Sequence, residues 1–309
     1  MRSRRLGAAG PELSVIGLGG NNFGWRLDPA QTAAVVHAAL DAGITHIDTA
    51  EMYGEGRSEE YIGAALAGRR DAVVIATKFL PRPAEEPYSP GVLAARIEAA
   101  VEGSLRRLGT DRIDLYYQHY PDASGPVDEA LATLDALVRD GKVLHVASSN
   151  VSASQIEEAA AVSAAQGLVA FCATQIEWSL LRRDVESSIV PACAANGLGV
   201  VPYFPLASGM LTGKYARGTD FPAGTRFAGN PDRFGKMATA ANFDRIDAYA
   251  AWAADHGRTV GELAIAWLLA QPTVGSVIAG AMRPDQVVAN AAAADWVLTA
   301  DQAAEIAGL

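Results

Sequence analysis

Eight short β-type runs alternate with Ala-rich helical segments along the chain, and this alternation limits the fold more than any other feature. A strand–helix–strand repeat lays neighbouring strands parallel. Such strands are buried on both faces and read as short apolar runs. The predicted strands are residues 15–18, 44–48, 73–77, 113–117, 144–147, 171–175, 199–201 and 277–278. Helices are expected at 29–42, 58–66, 90–108, 127–139, 152–166, 185–195, 242–255, 260–270 and 284–294, with a short helical tail. Asp28 caps the first helix, with Pro29 in its first turn and Gly43 as its stop. The helix after the fifth strand has two candidate starts, Ser152 or a capping box running from Ser154 to Glu157. The pattern fits a closed barrel or an open doubly wound sheet. The count of eight, in 309 residues without a linker or a break in composition, favours a single (β/α)8 TIM barrel over residues 1–309.

Composition narrows the function. The net charge is −10 and the pI about 5.0, which argues against nucleic acid or an anionic membrane as partner. Cys172 and Cys193 form no C-x-x-C pair, and the five histidines lack zinc spacing, so no metal is expected. Free cysteines fit a reducing cytoplasm. The basic start, residues 1–5, is followed by no apolar signal region, and no apolar run approaches a membrane span.

Four polar groups stand at the carboxyl ends of three consecutive predicted strands. Asp48 ends the second strand and Tyr53 lies just beyond it. Lys78 ends the third and His119 the fourth. Taken singly, each has an ordinary structural explanation: a helix cap, a packing ring, an exit to solvent, a loop histidine. Together they occupy one edge of the face where barrel enzymes do chemistry. They also make a mechanism. Reducing a carbonyl needs hydride on carbon and a proton on oxygen. Tyr53 can donate the proton, a nearby Lys78 cation would make the phenol a better acid, Asp48 would pair with Lys78, and His119 could orient the substrate oxygen.

The stretch from Gly43 through His46, Asp48, Thr49 and Tyr53 to Gly54, followed by Ser58-Glu59-Glu60-Tyr61-Ile62-Gly63, resembles the aldo-keto reductase signature. The likeness runs over nearly the whole chain. It implies a catalytic tetrad of Tyr53, Lys78, Asp48 and His119 and hydride transfer from a nicotinamide cofactor. Ser149, Asn150 and Gln175 resemble the residues that hold the carboxamide, and Tyr203 the ring that stacks on the nicotinamide. Leu206, Ser208, Gly209 and Leu211 resemble the pyrophosphate loop. Gly280, Arg283, Gln286 and Asn290 resemble the adenosine end, and Gly20 and Asn21, with Asp48, line the cleft. NADP(H) is the first expectation because Arg283 can grip a 2′-phosphate. NAD(H) is also possible, because Gly280, Gln286 and Ala289 stand where more polar or basic residues are usual.

Two lookalikes fail. Gly17-Leu18-Gly19-Gly20-Asn21-Asn22 has Asn22 where a dinucleotide fingerprint needs its third glycine. Gly209 to Lys214 is one residue short of a P-loop. Trp25, Tyr53, Tyr88, His119, Tyr120 and Phe204 are the candidate substrate residues for a small carbonyl or alcohol. Residues 221–234, including Arg226 and Arg233, are expected to close the pocket. Potassium-channel β subunits resemble the chain in fold and in the four groups, so a cofactor-binding regulatory subunit with little turnover is the alternative. A barrel lyase or isomerase would often need a metal cluster or a phosphate-binding Gly loop, and neither is apparent.

Overall fold

In the computed structural model, which describes residues 1–83 and 85–309 (the side chain of Arg233, placed above in the closing loop, also lies outside the described residues), eight parallel strands close into a barrel. They are β3 (Ile16–Gly19), β4 (His46–Asp48), β5 (Val74–Phe79), β6 (Ile113–Gln118), β7 (Val143–Ser149), β8 (Ala173–Glu177), β9 (Gly199–Tyr203) and β10 (Val277–Gly280). Two more strands, β1 (Ser3–Arg5) and β2 (Glu12–Ser14), precede them as an antiparallel hairpin. Barrel closure is a seam in which Val277 of β10 sits opposite Ile16 and Ile278 opposite Tyr203.

The helices are α1 (Pro29–Asp41), α2 (Arg57–Ala65), α3 (Val92–Leu108), α4 (Val127–Arg139), α5 (Ala153–Gln166), α6 (Ile189–Ala195), α7 (Arg226–Gly229), α8 (Pro231–Phe234), α9 (Ala240–Asp255), α10 (Val260–Leu269), α11 (Pro284–Ala292) and α12 (Ala300–Ala307). Among the described residues no helix is long and apolar enough to cross a membrane. Asp28 caps α1 in a box with Gln31. At α5 the cap is Ser152, whose side chain accepts from Gln155 N, so the box does not start at Ser154. Residues 185–195 are not one helix. A 3-10 turn (Asp184–Ser187) is separated from α6 by Ser188, because the ring of Pro191 would collide with the carbonyl four residues earlier in a continuous helix.

Alternation along the strands sorts two cores. Ile75 and Tyr116 face the helices, whereas Ala76, Leu115, Tyr117, Ala147, Ala173 and Val201 fill the barrel. The β1–β2 hairpin, which the pattern of strands and helices did not predict, covers the amino-terminal floor. Its Leu6 and Leu13 are fully buried in the barrel core. A Cβ on Gly199 would fall 2.6 Å from Leu6 Cδ1, and one on Gly275 2.7 Å, so glycine at both positions admits the plug. The basic start has a local use. Arg4 donates to the carbonyls of Val274 and, at the end of α10, Leu269, where a cation offsets the helix's negative pole.

The long stretch after β9 folds onto itself. Tyr215, Phe221, Phe227 and Phe234 form an aromatic knot, with the Tyr215 and Phe227 rings 4.4 Å apart and Phe227 fully buried. Replacing the floor plug by Leu6→Ala should leave a cavity that the glycine backbone around it cannot fill. The expected loss is about 2–5 kcal/mol in denaturant unfolding; a loss well under 1 kcal/mol would mean that the hairpin is not part of the barrel core.

Candidate active site

The site is assembled where β4, β5 and β6 end. Asp48 is the last residue of β4. Lys78 lies inside β5, one residue further into the sheet than its sequence reading placed it, and His119 follows β6 directly. Tyr53 opens a 3-10 turn whose Gly54, Glu55 and Gly56 all have left-handed backbone. Only glycine fits at 54, where a Cβ would come 2.7 Å from the carbonyl oxygen of Phe23.

Lys78 and Asp48 form a buried ion pair. Lys78 Nζ donates to Asp48 Oδ2 and to the carbonyl of Thr49, each at 2.7 Å. Gln175 Nε2 donates to Asp48 Oδ1 at 2.8 Å. A buried pair survives only when its remaining polar atoms are also bonded, and here both carboxylate oxygens are. Burial lowers the Lys78 ammonium from its ordinary value, and Asp48 opposes that shift.

Around the pair stand two rings. Lys78 Nζ is 5.2 Å from the centre of the Tyr53 ring. The Tyr53 and His119 rings meet edge to face with centres 5.9 Å apart, and His119 stacks on Tyr120 at 4.8 Å. Burial, then Lys78, pushes His119 down to about 3, so the imidazole is neutral. Tyr53 departs from the sequence expectation. The protein packed around it, then Asp48, Tyr120 and Tyr203, raises the phenol well above its ordinary value. In this state Tyr53 therefore holds its proton.

A chain of polar contacts continues round the rim. Tyr203 Oη donates to Asn150 Oδ1 at 2.8 Å. Asn150 Nδ2 donates to the carbonyl of His119 and to Ser149 Oγ, each at 3.0 Å, and Ser149 Oγ donates to the carbonyl of Gln175 at 3.0 Å. Burial raises Tyr203 to about 12. Beyond β9, Phe204, Ala207, Ser208 and Gly209 all have positive φ, and the Leu206 carbonyl accepts from Gly209 N and Leu211 N. Such runs turn backbone N–H groups to one side and favour anions. Lys214 Nζ lies 2.8 Å from where a Gly209 Cβ would stand.

On the other side of the mouth, Gly20 N donates to the Asp48 carbonyl, and a Cβ there would press on Ser58 Oγ at 3.0 Å. A Cβ on Gly280 would meet Asn22 and Asn21 at 3.7 and 3.8 Å. Asn290 is buried in α11, and Gln286 Oε1 accepts from Met282 N. Arg283 is exposed and holds Asp285 through two contacts of 3.0 and 2.9 Å.

The substrate candidates divide. Tyr53, His119 and Tyr120 meet in one cluster. Phe204 packs on Tyr203, with Arg226 of the long loop after β9 5.3 Å over its ring. Trp25 is 64% exposed and tied to the Asn21 carbonyl. Tyr88 joins Glu129 of α4 at 2.7 Å, and Arg82 lies over its ring; none of its described contacts is with the cluster. Sequence reasoning passed over Lys214, seen only as part of a failed P-loop, and Tyr117, 5.8 Å from Lys78 Nζ. The signal for Tyr117 was its place two residues before His119.

The sequence profile of the Aldo/keto reductase family matches residues 15–309. Among curated relatives, a probable voltage-gated potassium channel subunit beta of Oryza sativa subsp. japonica is 36% identical over 306 residues, covering 96% of this chain and 92% of the relative. One of the same description from Arabidopsis thaliana is 34% identical over 307 residues, with 96% and 92% covered. A putative voltage-gated potassium channel subunit beta of Schizosaccharomyces pombe is 34% identical over 307 residues, with 95% and 88% covered.

Two buried imidazoles contribute to the acid stability. His119 is held near 3 and His46 near 4, against 6.5 for a free histidine. Between those values the unfolded chain binds protons that the folded chain refuses, so the stabilisation is complete above 6.5 and is lost as pH falls toward 3. The melting temperature should drop between pH 7 and pH 4, by a smaller slope in His119→Asn, about one proton shallower. Equal slopes would show that His119 is not kept neutral.

Proposed function

The chain belongs to the aldo/keto reductase family, and from that premise we propose that it is a nicotinamide-dependent oxidoreductase interconverting small aldehydes or ketones and their alcohols, with Tyr53 as general acid/base. The observation that carries this reading is the meeting of Tyr53, the Asp48–Lys78 pair and a neutral His119 on one rim of the barrel.

The residues present fit a nicotinamide dinucleotide. Asn150, Ser149 and Gln175 offer amide and hydroxyl groups beside the Tyr203 ring, and the left-handed run at 207–209 with Lys214 suits a pyrophosphate. Asn21 lies beside Gly280 and Gly20 beside the Asp48 carbonyl, and Leu206, Ser208, Gly209 and Leu211 continue the cradle. When bound, the reduced nicotinamide supplies the hydride that the carbonyl carbon receives. Tyr53, protonated in its buried setting, gives its hydroxyl proton to the oxygen that gains charge. In the alcohol direction the same oxygen, as tyrosinate, takes that proton back. Lys78 lends positive charge close to the developing tyrosinate, and Asp48 keeps Lys78 in place. His119, neutral, orients the substrate oxygen without adding a second cation. Trp25, Tyr120 and Phe204 present apolar surface to the substrate, and residues 221–234 close over it through Arg226. A reducing cytoplasm suits the two buried thiols.

NADP(H) is the preferred cofactor in this reading, with NAD(H) admitted. Arg283 is the cation for a 2′-phosphate, but its fork already grips Asp285, so the incoming phosphate meets that carboxylate as well. A second reading, a cofactor-binding regulatory subunit with little turnover, is favoured by the channel-subunit names of the relatives.

Turnover of 4-nitrobenzaldehyde with NADPH separates the two. The enzyme reading expects steady oxidation of NADPH, lowered by roughly 10²–10⁴-fold in Tyr53→Phe, while cofactor binding, followed by quenching of tryptophan fluorescence, stays unchanged. Binding without turnover in the natural chain would support the regulatory reading, and no binding of NADPH or NADH would sink both. For the cofactor, Asp285→Asn should raise the preference for NADPH over NADH by about threefold and Arg283→Ala should erode it. No change in either would remove Arg283 from the site.

A further inference from the structure

Two carboxylates bracket Tyr53 in the chain, and both reach β5. Glu51 precedes the 3-10 turn that Tyr53 opens, and Glu59 stands in the first turn of α2, which follows that turn directly. Glu51 Oε1 accepts from Leu80 N, the first amide beyond β5, at 2.6 Å. Glu59 Oε1 accepts from Thr77 Oγ1, also at 2.6 Å. Thr77 and Leu80 lie on either side of Lys78 in the chain. The two ends of the Tyr53 segment are therefore tied to β5 just before and just after the lysine.

An arginine of α3 holds each carboxylate from behind. Arg96 Nη2 donates to Glu51 Oε1, and Arg107 Nε donates to Glu59 Oε2 at 2.6 Å. The two arginines stand eleven residues apart, about three turns, and so share one side of the helix. Glu59 is fully buried, and glycines make room for its partner. A Cβ on Gly56 would fall 2.8 Å from Arg107 Cδ, and one on Gly103 would fall 2.9 Å from its Nη1. Gly56 ends the Tyr53 turn, so Arg107 lies directly against that turn. The turn does not hold itself by preference. Its Glu55 has a φ of 61°, and left-handed backbone at such a residue costs about 1 kcal/mol. Contacts from outside must keep it in place.

We propose that Glu51 and Glu59 are positioning residues that fix Tyr53 relative to Lys78, with Arg96 and Arg107 anchoring both carboxylates to α3. The two carboxylates form a double clamp. One end of the Tyr53 segment is held to the exit of β5, the other to its interior, and the helix behind keeps both contacts closed. The consequence for turnover rests on Tyr53 being the acid/base. A proton moves only across a hydrogen-bond distance, and a displacement of about 1 Å can cost on the order of a hundredfold in rate. Neither carboxylate needs to touch substrate or cofactor for this.

Paired substitutions test each end. Glu51→Ala removes one tie, and Glu51→Gln keeps an oxygen for the Leu80 amide. Thr77→Val removes the donor to Glu59 at nearly constant shape, and Thr77→Ser keeps it. Two readings are taken. The first is NADPH oxidation by 4-nitrobenzaldehyde, in single turnovers and at steady state. Glu51→Ala and Thr77→Val should each slow the single turnover on the order of tenfold, with KM and NADPH binding little changed, and Glu51→Gln and Thr77→Ser should recover most of the rate. The second reading needs no turnover. It is the fluorine signal of Tyr53 in protein labelled with fluorotyrosine, identified by its absence in Tyr53→Phe. That signal should shift in Glu51→Ala and Thr77→Val and return in the conservative variants. A Tyr53 signal left in place would overturn the proposal, as would a raised KM with the single-turnover rate kept, or damage in Glu51→Gln as large as in Glu51→Ala. If Glu51→Ala does not fold, the Thr77 pair decides by the same readings. If the natural chain turns nothing over, the function reading fails on its own, and the fluorine signal still judges the placement of Tyr53.

Discussion

The seam between β10 and β3 turns a sheet into a barrel, and the rest of the structure depends on it. Joining the first and last barrel strands leaves no barrel edge, so the strand backbones find partners within the ladder. Closure also fixes geometry. The parallel ladder sets Asp48 opposite Ala76 and Lys78 opposite Tyr117, with Ser149 opposite Gln175 on the far side. Residues from five strands can then converge on one mouth. An open sheet would spread the same residues along a line.

Convergence has a cost, because it gathers polar groups in a space that excludes water. The chain meets it by connection. Lys78 reaches Asp48 and Thr49, Gln175 reaches Asp48, and Asn150 links Tyr203 to His119 and Ser149. The pair therefore sits buried without an unmatched charge, and the neighbouring imidazoles stay neutral. Neutral histidines leave Lys78 as the cation beside Tyr53.

The floor and the mouth divide the labour between rigidity and access. Below, Leu6 is pressed against glycine backbone and Arg4 of the first strand ties down the end of α10. Above, the long loop after β9 carries its own aromatic knot and reaches the rim through Arg226 over Phe204. The loop thus has a packed core of its own while it touches the candidate pocket.

Much of this was legible in the sequence because it is local. Apolar runs of strand length, Asp28 with Pro29, and Gly43 specify strands and a helix within a few residues of themselves. The positions of Asp48, Tyr53, Lys78 and His119 at strand ends follow from counting along those runs. Other features depend on residues far apart in the chain and had no local signal. The hairpin at residues 3–14 looks like a basic tail until the barrel floor is there to bury Leu6. Ser152 and Ser154 are equally good caps on paper, and the direction of the entering chain selects Ser152. The setting of the Tyr53 hydroxyl had no local signal for the same reason: the sequence places a lysine near a tyrosine, but how far the ring is buried, which raises the phenol, depends on the protein packed around it. The sequence by itself determined the eightfold alternation and the identity of the groups at the strand ends. Tertiary structure alone decided their protonation and partners, because desolvation and pairing depend on what closure brings around them.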